Sequence, residues 1–264
     1  MINLLQYEFM QNAFLAAFLA SILCGMMGSL VVVRKHVIVA GGIAHGAYGG
    51  VGLAFFLGIS PIFGTMVFSL VLSLLIAWIT WQKPERADSI IGVLWAVGMA
   101  IGVICIDLTP GYGADLMSYL FGSILTVSKG DLFAMLGVIL LSFALGFLYH
   151  KELLAFAYDP DFAKTRGVPV AFLHYVVIIL ISMTVVLLIR VVGLILVIAL
   201  LTIPPSIAER WSHSLYSMMG RAFLLSLFFS FVGLWLSALL NVTAGATIIL
   251  VSAIGYALSL LLKK

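Results

Sequence analysis

The sequence predicts an all-α fold, a polytopic transmembrane helical bundle of about nine spans, and three observations carry that prediction. Of 264 residues, 64% are hydrophobic and only 9% charged, whereas a water-soluble domain has about a quarter of its residues charged. The apolar residues gather into runs of about the 20 residues that a helix needs to cross a bilayer. The lysines and arginines fall between those runs, nearly all on one side of the implied membrane.

The first run, 9–33, is not followed by an A-x-A-like cleavage site and a polar chain, so it reads as a retained span and not as a signal peptide. It stops at Arg34 and Lys35. The second, 37–59, holds His45 among glycines, and the third, 61–81, runs into Lys83 and Arg86. The fourth, 89–108, closes on Asp107, and the fifth, 130–149, follows Lys129. A cytoplasmic loop, 150–169, leads to the sixth, 169–190, which ends at Arg190. The seventh, 191–208, contains Pro204 and Pro205 near its end, where proline removes backbone donors and should break the helix. The eighth, 221–240, and ninth, 243–262, complete the set before Lys263 and Lys264. Eight spans result if one of the shorter runs is re-entrant.

With the N-terminus outside and the C-terminus inside, Arg34, Lys35, Lys83, Arg86, Lys151, Lys164, Arg166, Arg210, Arg221, Lys263 and Lys264 all lie inside, and only Lys129 and Arg190 lie outside. The outer loops then carry Glu8, Asp107, Asp115 and Asp131, a mildly acidic face that favours a cationic substrate. No linker or soluble domain interrupts residues 1–264, and no internal repeat marks a secondary transporter.

Several classes are excluded. Cys24 and Cys105 lack C-x-x-C spacing, so they read as packing thiols. No basic tract offers a surface for nucleic acid. The absence of H-E-x-x-H, G-x-S-x-G and paired intramembrane aspartates leaves no enzyme chemistry, and no cofactor is expected to be bound covalently.

Residues 39–50, VAGGIAHGAYGG, put one imidazole among five glycines. On a helix Gly42, Gly46 and Gly50 form a stripe that allows close helix packing in lipid. Gly41 and Gly49 lie one turn either side of His45, leaving it room on a bare strip of backbone. A polar side chain at membrane depth normally faces a bundle interior or a water-filled path, and neutral imidazole is a common ligand for divalent metals. A histidine bonded to a neighbouring helix is the alternative.

The loop 150–169, HKELLAFAYDPDFAKTRGVP, contains a short helix. Asp159 suits its cap, Pro160 its first position, Gly167 a left-handed stop, and Pro169 blocks continuation. About seven residues, roughly 10 Å, are not stable alone in water, so the helix needs a docking surface, on this chain or on a partner.

The spacing Asp161, Ala163, Gly167 resembles the acidic-Ala-Ala-x-x-x-Gly loop by which permeases of ABC importers seat a helix in their ATPase subunits. Three further blocks are similar to the permease family of bacterial and archaeal zinc, manganese and iron ABC importers: SLVVVRKHVIVAGGIAHGAYGG at 29–50, DLMSYLFGSILTV at 115–127 and VGLILVIALLTIPPSIAER at 192–210. The resemblance covers about residues 7–260. It implies a single permease domain in the cytoplasmic (inner) membrane and a second copy of the chain as dimer partner. It also implies two cytoplasmic ATPase subunits and an extracytoplasmic metal-binding protein. Divalent metal is the transported substrate, and ATP sits on the partner subunit, in keeping with the lack of a G-x-x-x-x-G-K-[ST] loop here. Asp161, Ala163, Arg166 and Gly167 are the implied ATPase-coupling residues, and 150–169 the coupling loop.

The chain departs from the family at one point. Where the family often reads Gly-Asp-Ala-x-Ser-His-Ala, this sequence has Gly41 in the acidic position and Ala44 in the hydroxyl position. No carboxylate–histidine pair forms, and His45 stands alone as the pathway or gate residue. Asp107 and Asp115 could guide a cation at the outer mouth, although helix capping and solvation account for them as well. Pro204 and Pro205 suit a hinge or a static kink. The rival functional class is a secondary transporter of a cation or metal chelate, but carriers of that kind usually place carboxylates within several spans.

Overall fold

Helix formation follows the apolar runs to within a few residues over most of the chain. The computed structural model describes residues 8–109, 122 and 127–262. Among them are α1 (Glu8–Val33), α2 (Val37–Gly46), α3 (Tyr48–Leu57), α4 (Pro61–Gln82), a 3-10 turn (Pro84–Arg86) and α5 (Ala87–Asp107). These are followed by α6 (Lys129–Leu148), α7 (His150–Tyr158), α8 (Pro160–Thr165), α9 (Val170–Val192), α10 (Leu194–Trp211), α11 (Leu215–Leu240) and α12 (Ala244–Leu262). Nine segments of the described residues are long and apolar enough to cross a membrane, α2 and α3 together making the second. The joint falls at Ala47, directly after the His45 turn, where Gly50 N–H bonds back to Ala47 O at 2.9 Å.

Two boundaries differ from the sequence reading. The eighth span begins at Leu215, because the Ser214 hydroxyl accepts from Ser217 N–H and caps the helix nearly two turns earlier than the apolar run suggests. Arg221 therefore lies inside the helix. The prolines do not break α10, which continues to Trp211. Proline strips the helical donor from the carbonyl four residues back, here Leu200 and Leu201, but the α1 backbone closes over the second of these. A Cβ built on Gly28 would lie 2.8 Å from Leu201 O and 2.8 Å from the Pro205 ring. Packed neighbours make a proline tolerable within a membrane helix.

The chain divides into two compact units. The first comprises α1, α6, α10, α11 and α12 with the end of α9 from Leu187. Gly25 of α1 meets Met219 O and Phe223 of α11, and Phe18 packs edge-on against Phe223 with centroids 5.7 Å apart. The second comprises α2 to α5, α7, α8 and the remainder of α9. In it α9 is fastened to α4 by side chains, with Ser182 Oγ donating to Ser69 O at 3.1 Å and His174 Nε2 lying 3.1 Å from Ala77 O.

The Gly28 contact gives a stability test. Gly28→Val is expected to destabilise the purified protein by about 1–3 kcal/mol, the usual cost of overpacking, read as a lowered thermal unfolding temperature in detergent. Gly137→Ala, whose Cβ would meet nothing within 4 Å, serves as control. Equal unfolding temperatures would mean that α10 yields without cost.

Candidate metal pathway and coupling loop

Bare backbone brings α2 and α3 against α4 and α5. Gly46 meets Gly98 of α5, Gly49 lies against Gly98 O, and Gly52 against Gly102, while Gly50 faces Gly64 and Thr65 of α4. Gly42 faces Ile91 of α5, and Gly46 also touches Leu72 of α4. Thus Gly42, Gly46 and Gly50 serve two neighbouring helices and not one. Their partners on α5, Gly98 and Gly102, stand four residues apart, a small-xxx-small spacing that was readable in the sequence.

This packing leaves His45 half-buried on the α2 face. A Cβ built on Gly41, one turn before it, meets no atom within 4 Å, so that side is open. The other side is not. The Trp95 indole lies face-on to the imidazole, centroids 4.1 Å apart and planes 9° from parallel. His45 Nδ1 is enclosed and makes no hydrogen bond among the described residues. The alternative of a histidine bonded to a neighbouring helix therefore has no support at Nδ1. Among the described residues no three or more His, Cys, Asp or Glu gather as a ligand cluster, so those residues form no metal cage around His45.

Asp107 is exposed and is the last residue of α5. Capping does not explain it. A carboxylate caps the positive N-terminal end of a helix, whereas the C-terminal end is negative and repels it. Asp115 lies outside the described residues. Two other acids are neutralised within the first unit. The hydrogen bond from Lys129 Nζ to Glu8, 2.6 Å, together with the lysine charge, holds the Glu8 carboxyl below its ordinary range. Buried Asp131 takes Ser128 N–H and Oγ–H at 2.9 and 2.7 Å and pairs with Arg190 Nε at 3.3 Å. Asp131 is thus a helix cap with a counter-ion, and the acidity expected of the outer loops falls among the described residues to Asp107.

The loop 150–169 has the stops its sequence implies. Asp159 Oδ1 accepts from Phe162 N–H at 2.9 Å, and Pro160 opens α8. Gly167 takes φ +77°. Val168 N–H bonds to Ala163 O at 3.1 Å and Gly167 N–H to Lys164 O at 3.2 Å, the paired closure of a Schellman stop. Preceding it, α7 buries Leu153, Phe156 and Ala157, an anchor helix that the sequence reading did not separate. In α8 only Ala163 is buried. Asp161, Phe162, Lys164 and Arg166 are exposed, and the Arg166 guanidinium lies over the Phe162 ring at 5.8 Å. The short helix is held from beneath and presents its charged, aromatic face outward.

Residues 6–263 match the ABC 3 transport family. The chain belongs to that family. It is 32% identical over 257 residues to the manganese transport system membrane protein MntC of Halalkalibacterium halodurans, covering 97% of this chain and 88% of the relative. It is 48% identical to an uncharacterized membrane protein of Synechocystis over all 264 residues and 94% of the relative. Among solved structures it is similar to PsaBC from Streptococcus pneumoniae in complex with Fab, with TM-score 0.85 and 32% identity over 98% of this chain and 93% of that one. As an ABC 3 family chain with nine membrane-length helices among its described residues, it is a multi-pass membrane transport protein.

Proposed function

We propose that the chain is the permease subunit of an ATP-driven importer that moves a divalent metal ion, manganese before zinc or iron, from an extracytoplasmic binding protein into the cytoplasm. The single observation that carries this reading is His45: one metal-competent imidazole, half-buried within a membrane span beside the open flank of Gly41, in a family whose named relatives transport manganese. Two copies of the chain pair in the cytoplasmic membrane, N-termini outside and C-termini inside. Each seats α8 in one ATPase subunit through Asp161, Phe162 and Arg166, with Ala163 and Gly167 fixing the shape of the loop. Asp107 and Asp115 draw the cation toward the entry side, and Pro204 and Pro205 give α10 a place to flex as access alternates. With one imidazole and no carboxylate at position 41, binding along the path is transient, which suits conduction. ATP and its hydrolysis belong to the partner subunit.

The test is reconstitution of the permease with its ATPase and binding protein in sealed vesicles. ATP supplied on the ATPase side should drive accumulation of radioactive manganese, abolished when the binding protein is omitted. Accumulation driven by a proton or sodium gradient without ATP would refute the reading.

A further inference from the structure

The aromatic residue that stacks on His45 among the described residues has no place in the reading above. Trp95 stands near the middle of the span Pro84–Asp107. Tryptophan at the ends of a span anchors it among headgroups, and that explanation does not reach the middle. Nor does the indole serve as a hydrogen-bond partner for the histidine. Its Nε1–H is directed to Met99 Sδ, 3.1 Å away and one turn along the same helix, so the contact with His45 is made by the ring face alone.

A ring on a bare stretch of backbone needs something to hold its plane. The glycine at 41 offers His45 no contact, and no hydrogen bond fixes Nδ1. What remains is the indole, parallel to the imidazole and 4.1 Å away. We propose that Trp95 is a positioning residue for His45: it fixes the imidazole plane and closes one face of it, so that a passing cation meets a ring nitrogen edge-on. This rests on His45 lying on the metal path. A metal is ligated through a nitrogen lone pair in the ring plane, so setting the plane sets the direction of ligation. With no cluster of three or more such ligands among the described residues, a misdirected ring is poorly compensated. The Nε1–Met99 bond in turn holds the indole, and Gly98 beside it lets α5 approach α2 closely enough for the rings to stack.

The experiment compares initial rates of radioactive manganese uptake in cells lacking their own manganese importers and expressing the whole transporter, with permease amount and thermal stability measured alongside. Trp95→Leu is expected to lower the maximal rate roughly tenfold, within the range that misplacement of a functional group costs. Trp95→Phe, which restores a flat face, should recover at least about half of the rate. The deciding variant is Trp95→Leu combined with His45→Gln. A residue that acts only through His45 adds nothing once His45 is gone, so the double variant should match His45→Gln within about twofold. Multiplied losses in the double variant would assign Trp95 to packing and overturn the proposal, as would a wild-type rate for Trp95→Leu beside a slow His45→Gln. A wild-type rate for His45→Gln would overturn the pathway reading and this proposal together, a pattern distinct from the other two. If Trp95→Leu lowers permease yield, Trp95→Met keeps the bulk without the aromatic face and is read in the same way.

Discussion

His45→Gln is expected to reduce manganese uptake by the assembled transporter roughly tenfold or more while leaving the permease folded and bound to its ATPase. The size follows from removing the imidazole proposed to meet the metal; losing even an outer partner of a metal ligand typically costs 10–100-fold. Glutamine keeps a planar amide against the Trp95 ring, so it should preserve packing. His45→Ala is the harsher change, since it also loses a stacked contact worth about 0.5–1.5 kcal/mol, and its unfolding temperature should fall slightly. The bare surroundings of His45 would suggest no packing to lose; the indole supplies some. Uptake and thermal unfolding of the same preparations decide the matter. A histidine that merely stabilises the bundle would give full uptake with a lowered unfolding temperature in both variants, and the route would then lie elsewhere.

Gly167→Pro should release the ATPase from a permease that still enters the membrane. The native φ of +77° is inaccessible to proline, whose ring fixes φ near −65°. Proline also lacks the N–H that Gly167 donates to Lys164 O. Both closing bonds of α8 then fail, and Phe162 and Arg166 lose the frame that presents them. Gly167→Asn is the informative companion, because asparagine tolerates the left-handed region, and it should retain most of the ATPase on co-purification. Asp161→Lys tests the surface and not the frame, since Asp161 is exposed in the first turn and reversing its charge leaves the closing bonds intact. Loss of the ATPase in Gly167→Pro and Asp161→Lys, with ATP hydrolysis by the isolated ATPase unchanged, is the expected pattern. Retained ATPase and undiminished transport in both would remove 150–169 from the coupling role.

The number of spans and their approximate positions were readable in the sequence alone, though not every limit, because membrane length and apolarity are one-dimensional properties: a helix in lipid must satisfy its own backbone, and about 20 apolar residues suffice. The stops of α8 were equally local, since Asp159, Pro160 and Gly167 act within four residues of themselves. Only the tertiary structure decided what those helices touch. That α10 runs through Pro204 and Pro205 and packs there against Gly28, more than 170 positions away in the chain, is a tertiary fact. That Asp131 is a paired cap, and not part of an attractive outer field, depends on Arg190. That His45 has one open flank and one stacked face depends on Trp95, which α5 can bring so near only because Gly46 and Gly98 let two backbones meet. Periodicity along a chain states which face of a helix is bare. Which side chain comes to lie across that face is set by the packing of separate helices, and no spacing within one of them contains it.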